Sequence, residues 1–304
     1  MKRIQLKIIL TSLLLAFGVL ASYAQGVVVY KKDGTKVRVP YEMLDSISTY
    51  DYGDTSEMVG ANKVFTVHGV TFTMVFVESG SFTMGATAEQ QEPFDDEKPP
   101  HRVTLTKDFY IGETEVTQAL WKAVMGFTPT ASGPQWSIAN GLGDDFPAYN
   151  ISYEDVQQFI SRLSSLTGAQ FRMPTEAEWE YAARGGSKSK GYQYSGSNTL
   201  SDVAWYGSNS GKKTHAVKTK KSNELGLYDM SGNVFEWCSD WKGNYTSSPA
   251  VDPTGADSGS YRVCRGGCWG NAARVCRVTS RDGNGPSSYY ISISGFRLAL
   301  SSSK

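Results

Sequence analysis

The chain has no net charge: Lys and Arg total 30, and Asp and Glu total 30. Without a basic excess it has no electrostatic footprint for nucleic acid or anionic lipid. Histidine is scarce. His68, His101 and His215 are the only three and lie far apart in sequence, so each reads as a surface or packing residue rather than a zinc ligand. Cysteine is limited to four residues, all beyond residue 237, and an even count leaves their pairing open. Internal repeats are missing, as are a P-loop, a dinucleotide fingerprint and a Ser-His-Asp order worth assigning. The one long apolar run, Ile8 to Leu20, is too short for a comfortable membrane span.

What is present points to an exported globular chain. Hydrophobic residues make up 40% and charged residues 20% of 304, a globular rather than disordered balance. Glycine is high at 31 and aromatics reach 12%, which suggests a loop-rich fold held by aromatic anchors. Lys2, Arg3 and Lys7 precede the apolar run, and Ser22 and Ala24 supply a small-x-small cleavage site before Gln25. Residues 1–24 therefore read as a secretory signal peptide, with no transmembrane segment after its cleavage. Export places the chain in a periplasm, on a surface or outside the cell, where disulfides can form.

Residues 25–50 stand apart. Two β-rich runs around Lys32-Asp33-Gly34 predict a hairpin, followed by a helical turn or more, and so short a piece buries little core alone. Residues 51–63 read as a linker, and the main domain as 64–304. Within it, "TMVFVESGSFTMG" reads as a strand pair with a Gly turn, and "HRVTLTKDFYIG" as another strand. Three helices carry end signals. Thr117 and Gly126 bound the first. Ser152 and Gly168 bound the second, whose Val156, Phe159, Ile160 and Leu163 share one face. Thr175 starts the third with Glu178 closing a capping box, and Gly185 ends it. "FDDEKPP" reads as a solvated acidic loop, and "GKKTHAVKTKKSN" as an exposed basic face or an anion site.

The motifs "GSFTMG", "EKPPHRVTL", "EVTQALW", "FRMPTEAEWEYAARGG", "LGLYDMSGNVFEWCSDW", "RVCRGGCW" and "SGFRLAL" follow one another over roughly residues 65–300. In this order they resemble the formylglycine-generating enzyme, or sulfatase-modifying factor, family. The resemblance implies an α+β fold of C-type-lectin kind, with a small twisted antiparallel sheet, two to three helices and much irregular chain. It also implies a reaction, the oxidation of a substrate cysteine to formylglycine with copper and oxygen. The family holds Cu(I) on two thiolates with four residues between them, soft ligands for a soft ion. Here Cys276 matches the second position and Asn271 stands at the first, while Cys268 replaces a usual Ser. A thiolate with an amide partner is a poor Cu(I) site, so Cys276 is the one catalytic candidate under the oxidase reading, and a structural role for it is favoured. Cys238 reads as a buried small residue or a disulfide partner.

The same resemblance implies a structural Ca²⁺ held by the Asp229 carboxylate, the Gly232 and Val234 carbonyls and the Glu236 carboxylate. Mixed carboxylates and carbonyls suit a hard cation. A second family calcium site needs an acidic loop, and the corresponding "GSNSGKKTHAV" is short and basic.

One more absence is local. From Arg262 to Ser303 there is no Lys, Glu, Gln or Met, although Lys and Glu are common residues elsewhere. Asn codons whose adenines are randomised reach neither these four nor Trp, and the single Trp here, Trp269, lies in a scaffold word. The segment thus resembles the variable proteins of diversity-generating retroelements, with a variable region at 262–297. The candidate binding residues are Cys264, Cys268, Gly270, Asn271, Arg274 and Val275, with Asp282, Gly283 and Asn284, and then Ser287, Ser288, Tyr289, Tyr290 and Ile291. Tyr, Ser, Gly and Asn are also what antibody loops use for contact, and the adjacent tyrosines are natural anchors. The expectation is a non-catalytic binder of a protein or glycan ligand. The alternatives are a formylglycine-generating oxidase, or a structural envelope protein docked through its N-terminal hairpin.

Overall fold

The computed structural model describes residues 27–30, 36–39, 60–128, 136–286 and 293–302. The chain divides into two compact units, residues 1–59 and 60–304. In the first, β1 (Val27–Tyr30) pairs antiparallel with β2 (Lys36–Val39). The expected signal peptide and the helical turn after Pro40 lie outside the described residues.

The second unit is α+β. Its largest sheet runs β3 (Lys63–Val67), β4 (Val70–Val77), β7 (Phe109–Gly112), β14 (Ala299–Ser301), β8 (Phe171–Arg172), antiparallel throughout. A second sheet joins β5 (Gly80–Met84) to β6 (His101–Leu105), with β10 (Ala250–Val251) parallel to β6. The third runs β12 (Arg281–Asn284), β11 (Arg262–Arg265), β9 (Phe235–Trp241), β13 (Ser294–Gly295).

Two strand readings are corrected. β4 and β5 do not pair with each other: the chain leaves one sheet for the next at Glu78–Ser79, where the Ser79 amide donates to Asp108 Oδ1 at 2.8 Å. "HRVTLTKDFYIG" is two strands in different sheets. It breaks at Thr106, whose amide donates to Asp252 Oδ1 at 2.8 Å. Both breaks depend on partners remote in sequence.

The helices form where their caps place them. α1 (Gln118–Met125) starts at Thr117, whose hydroxyl accepts from Leu120 N, and stops at Gly126 in the left-handed region. α2 (Tyr153–Thr167) has a capping box of Ser152 and Asp155 and ends at Gly168. α3 (Glu176–Ala183) has the Thr175–Glu178 box. A single further turn, α4 (Leu200–Val203), carried no clear sequence signal. Among the described residues no helix is long and apolar enough to cross a membrane.

The apolar faces of α1 and α2 meet in an aromatic stack. Trp121 lies 5.4 Å from Phe159, and Phe296 meets Phe159 edge-on at 5.2 Å. Each such buried side chain contributes about 1.5–3 kcal/mol and each ring pair about 0.5–1.5 kcal/mol more. A second cluster packs α3 against β5, β6 and β11 around Trp179 and Val263. These cores hold the third sheet, and with it the C-terminal segment.

Candidate functional site

Four buried arginines pin the segment from β11 to β14. Arg265 bonds Glu180 and the carbonyls of Val278, Thr279 and Ser280. Arg277 grips both oxygens of Glu97, at 2.7 and 2.5 Å. Arg281 grips Glu176 at 2.6 and 2.8 Å, and Arg297 grips Glu236 at 2.6 Å twice. A two-point guanidinium–carboxylate bond fixes direction as well as distance. The carboxylates come from α3, β9 and the loop before β6, so the clamps tie the last forty residues to the rest of the unit.

Between the clamps lie the candidate binding residues. Gly270, Arg274 and Asp282 are exposed, and Asn271, Val275 and Gly283 are half-buried. Cys264, Cys268 and Asn284 are buried instead: Cys264 Sγ accepts from Asn284 Nδ2 inside the core, so in this arrangement these three support the face from beneath. Ser287, Ser288, Tyr289, Tyr290 and Ile291 lie outside the described residues.

The stretch around Asn271 is a tight turn. The Asn271 amide oxygen accepts from Cys268 N at 2.8 Å, and Asn271 N donates to Cys268 O at 3.0 Å. Gly267, at φ 72°, lets the chain pass beneath it, since a Cβ there would sit 2.9 Å from Cys276 Sγ. Cys276 is fully buried among Tyr194, Leu200, Val203 and Ala204. Burial and the nearby Cys268 push its thiol well above the ordinary range, and burial pushes Cys268 up to about 11. Asn271 is committed to the turn, and Cys276 and Cys268 are both enclosed thiols held in the neutral form, Cys268 Sγ also accepting from Gly270 N at 3.4 Å, so the donor set does not fit a two-thiolate Cu(I) site. All four cysteines are free and buried.

The four residues of the expected calcium site converge with a fifth, Glu115. Asp229 at φ 58°, Gly232 at φ 83° and Asn233 at φ 58° curl the chain into a left-handed turn. Gly232 has no alternative, because a Cβ would sit 2.3 Å from Trp205 O. Glu115 accepts from Asn233 Nδ2 at 2.7 Å and Val234 N at 3.0 Å. Asp229 Oδ2 accepts from Lys218 N at 2.9 Å, while its Oδ1 is buried with no hydrogen-bond partner. Burial pushes Asp229 up to about 6, and burial with the charges of Asp229 and Glu236 pushes Glu115 well above the carboxylate range. Three buried carboxylates share one guanidinium, Arg297, so without a further cation they resist ionising together. Among the described residues no three His, Cys, Asp or Glu side chains form a metal cluster by themselves, so a cation here needs carbonyl ligands too. The orphaned Asp229 oxygen and the crowded carboxylates fit a hard divalent ion, although Glu236 is already held by Arg297 and by Trp179 Nε1 at 2.6 Å. Glu115 was not legible as a member, since more than a hundred residues separate it from Asp229.

Two further loops adjoin the face. Gly207 N donates to Asn271 O at 2.8 Å, and Ser210 Oγ donates to Trp269 O at 2.8 Å. Thr214 N and Oγ1 both donate to Asn140 O, which brings in the loop carrying Ile138, 82% exposed, and Leu142, 49% exposed. His215 stacks on Trp205 at 3.7 Å and bonds Ser210 O, while His68 and His101 bond the carbonyls of Ala123 and Pro99.

Comparison with known proteins agrees with this geometry. Residues 62–302 match the model of the sulfatase-modifying factor enzyme 1-like domain. The structure of Treponema denticola variable protein 1 superposes with a TM-score of 0.69 at 35% identity, covering 80% of this chain and 99% of that one. PvdO from Pseudomonas aeruginosa superposes at 0.67 with 30% identity, covering 79% and 98%. The formylglycine-generating enzyme of Streptomyces coelicolor is 31% identical over 284 residues, 74% of this chain and 88% of that one. With its motif order, its clamps and these likenesses, the chain belongs to the sulfatase-modifying factor family and resembles a diversity-generating-retroelement variable protein.

Proposed function

We propose that this chain is an exported, non-catalytic ligand-binding protein whose diversified face is built on the C-terminal segment. The observation that carries the reading is the alternation in that segment. Buried arginines hold its backbone, and Gly270, Arg274 and Asp282, drawn from a codon-limited set, stand exposed between them. A second support is Asn271, which stands where the oxidase has its first copper thiolate and spends its side chain on a turn. The likeness to a variable protein points the same way. The ligand is a protein or glycan surface read by changeable side chains.

The reading includes a structural Ca²⁺. Asp229 and Glu236 would supply carboxylate oxygens and Gly232 and Val234 carbonyls, with Glu115 adding charge behind them. The ion would supply the positive charge that the buried carboxylates lack, and would fix the turn beneath the face.

Three experiments test the proposal. The gene's surroundings should hold a reverse transcriptase and an adenine-rich near-copy of the 3′ end; their absence removes the diversification. Copper-loaded protein should leave a Cys-x-Pro-x-Arg peptide unchanged, as read by mass spectrometry. Formylglycine formation that is lost in Cys276→Ser would defeat the binding-only reading in favour of the oxidase. Mass spectrometry of exported protein should find Gln25 as its first residue.

A further inference from the structure

A cleft of about 880 Å³ in the second unit shares no residue with the candidate face. It lies along the exposed side of α2, above β8, and is closed by the turn after β6, the Asp252–Thr254 loop and the end of β14. Its volume falls in the range of ligand sites, about 300–1,000 Å³. We propose that it binds a neutral oligosaccharide.

The wall chemistry carries this. α2 presents Gln157, Ser161, Ser164 and Ser165 to the cleft, one face of the helix at steps of three and four. Gln170, Ser301 and Ser302 line the facing side. Gln157, Ser161 and Gln170 are exposed, so their hydroxyl and amide groups are open to a ligand, while exposed Ser165 donates its hydroxyl to Ser161 O at 3.0 Å and keeps its oxygen as an acceptor. These groups both donate and accept, as sugar hydroxyls do. Half-buried Ile160 and Pro253, with Phe171 behind, give apolar patches for the C–H faces of sugar rings.

The charged groups of the cleft are largely spent on the protein. Arg172 grips Glu178 at 2.6 Å twice, and its Nε donates to Ser301 Oγ at 3.1 Å. Asp252 accepts from Thr106, and Asp108 accepts from Ser79 N. Two cations, Lys107 and Arg172, stand against three anions, Asp108, Glu178 and Asp252, leaving one negative charge. That balance repels a polyanion and offers a polycation only one unmatched charge. An apolar peptide would leave the row of hydroxyls unpaired, at a desolvation penalty for each. A neutral polyol is the ligand that answers both.

Calorimetric titration of the mature chain with cellohexaose, mannohexaose, chitohexaose and hexagalacturonate tests the proposal. At least one neutral hexasaccharide should bind, and hexagalacturonate should not. The triple change Gln157→Ala, Ser161→Ala and Ser165→Ala should weaken that binding about tenfold or more. Alanine favours helix, so α2 should survive the change, which far-UV circular dichroism verifies. Ser161→Trp, which fills the cleft from an exposed position, should abolish binding, and Gln158→Ala, on the same helix outside the cleft, should leave it intact. No heat with any neutral sugar, binding that ignores the triple change and Ser161→Trp, or a preference for hexagalacturonate would each overturn the proposal.

Discussion

Arg274 and Arg277 lie three residues apart around the 3-10 turn Ala273–Cys276, and both approach the Phe94 ring, at 3.7 and 5.7 Å. Their roles diverge. Arg277 is fully buried, grips Glu97 with two nitrogens, and donates from Nε to Arg274 O at 2.9 Å. Arg274 is exposed and reaches backbone oxygens alone, Glu92 O at 2.8 Å and Pro93 O at 3.5 Å. The inner arginine therefore holds the backbone of the outer one. The C-terminal segment is not a uniform loop: it interleaves buried anchors such as Arg277 with exposed positions such as Arg274.

The widest separation of the two comes from truncation. Arg277→Ala leaves Glu97 charged and buried without its partner, which should destabilise the unit by about 3–5 kcal/mol in urea unfolding. Replacing both Arg277 and Glu97 by Met should recover much of that loss, because no buried charge is then stranded. A loss below about 1 kcal/mol for Arg277→Ala would mean the clamp does not hold the segment.

A second anchor gives a pH signature. Asp240 on β9 accepts from Glu176 N at 3.0 Å at the start of α3. Burial first, and then the Glu176 charge, push its carboxyl up to about 7. Its folded pKa lies above its unfolded value, so protonated Asp240 favours the folded state. That stability is complete below about pH 4 and is lost as pH rises toward 7, an effect of up to about 4 kcal/mol. Asp240→Asn should flatten the stability profile between those limits and raise stability at pH 8. An unchanged profile would show that Asp240 stays ionised.

Legibility in the sequence follows the range of the interaction. The three main helices could be placed because their signals are local: Thr117, Ser152 and Thr175 cap within three residues, and Gly126 and Gly168 end what precedes them. The arginines of the C-terminal segment stood out as scaffold words, but their partners did not, since Glu97 and Arg277 are 180 positions apart. Glu115 escaped notice beside Asp229 for the same reason. The candidate binding positions were chosen through codon chemistry, which is blind to burial, and so Cys264, Cys268 and Asn284 were included although they face the core. Ile138 and Leu142 beside the face carried no signal, because exposed apolar residues are common on any surface.

Calcium separates the two classes from below. If the ion sits at Asp229, adding it at about a hundred times its Kd should stabilise the protein by roughly 2.7 kcal/mol. Chelation should lower Tm accordingly, and Asp229→Asn should remove the response. A Tm indifferent to both calcium and chelator would end the calcium proposal while leaving the arginine anchors untouched.

The smallest effect is the most discriminating. Arg274→Ala removes a side chain that is exposed and holds only loop backbone and one ring face. Arg277 still fixes the Arg274 carbonyl, so the backbone should stay in place. The expected change is within about 0.5 kcal/mol, or a degree or two in Tm for a unit of this size. Substitutions at Asp282, which bonds only the next amide, should be equally silent. Losses here as large as those at Arg277 would mean that the displayed residues also carry the fold. A site under diversification could not tolerate that, because each new side chain would then unfold its own platform.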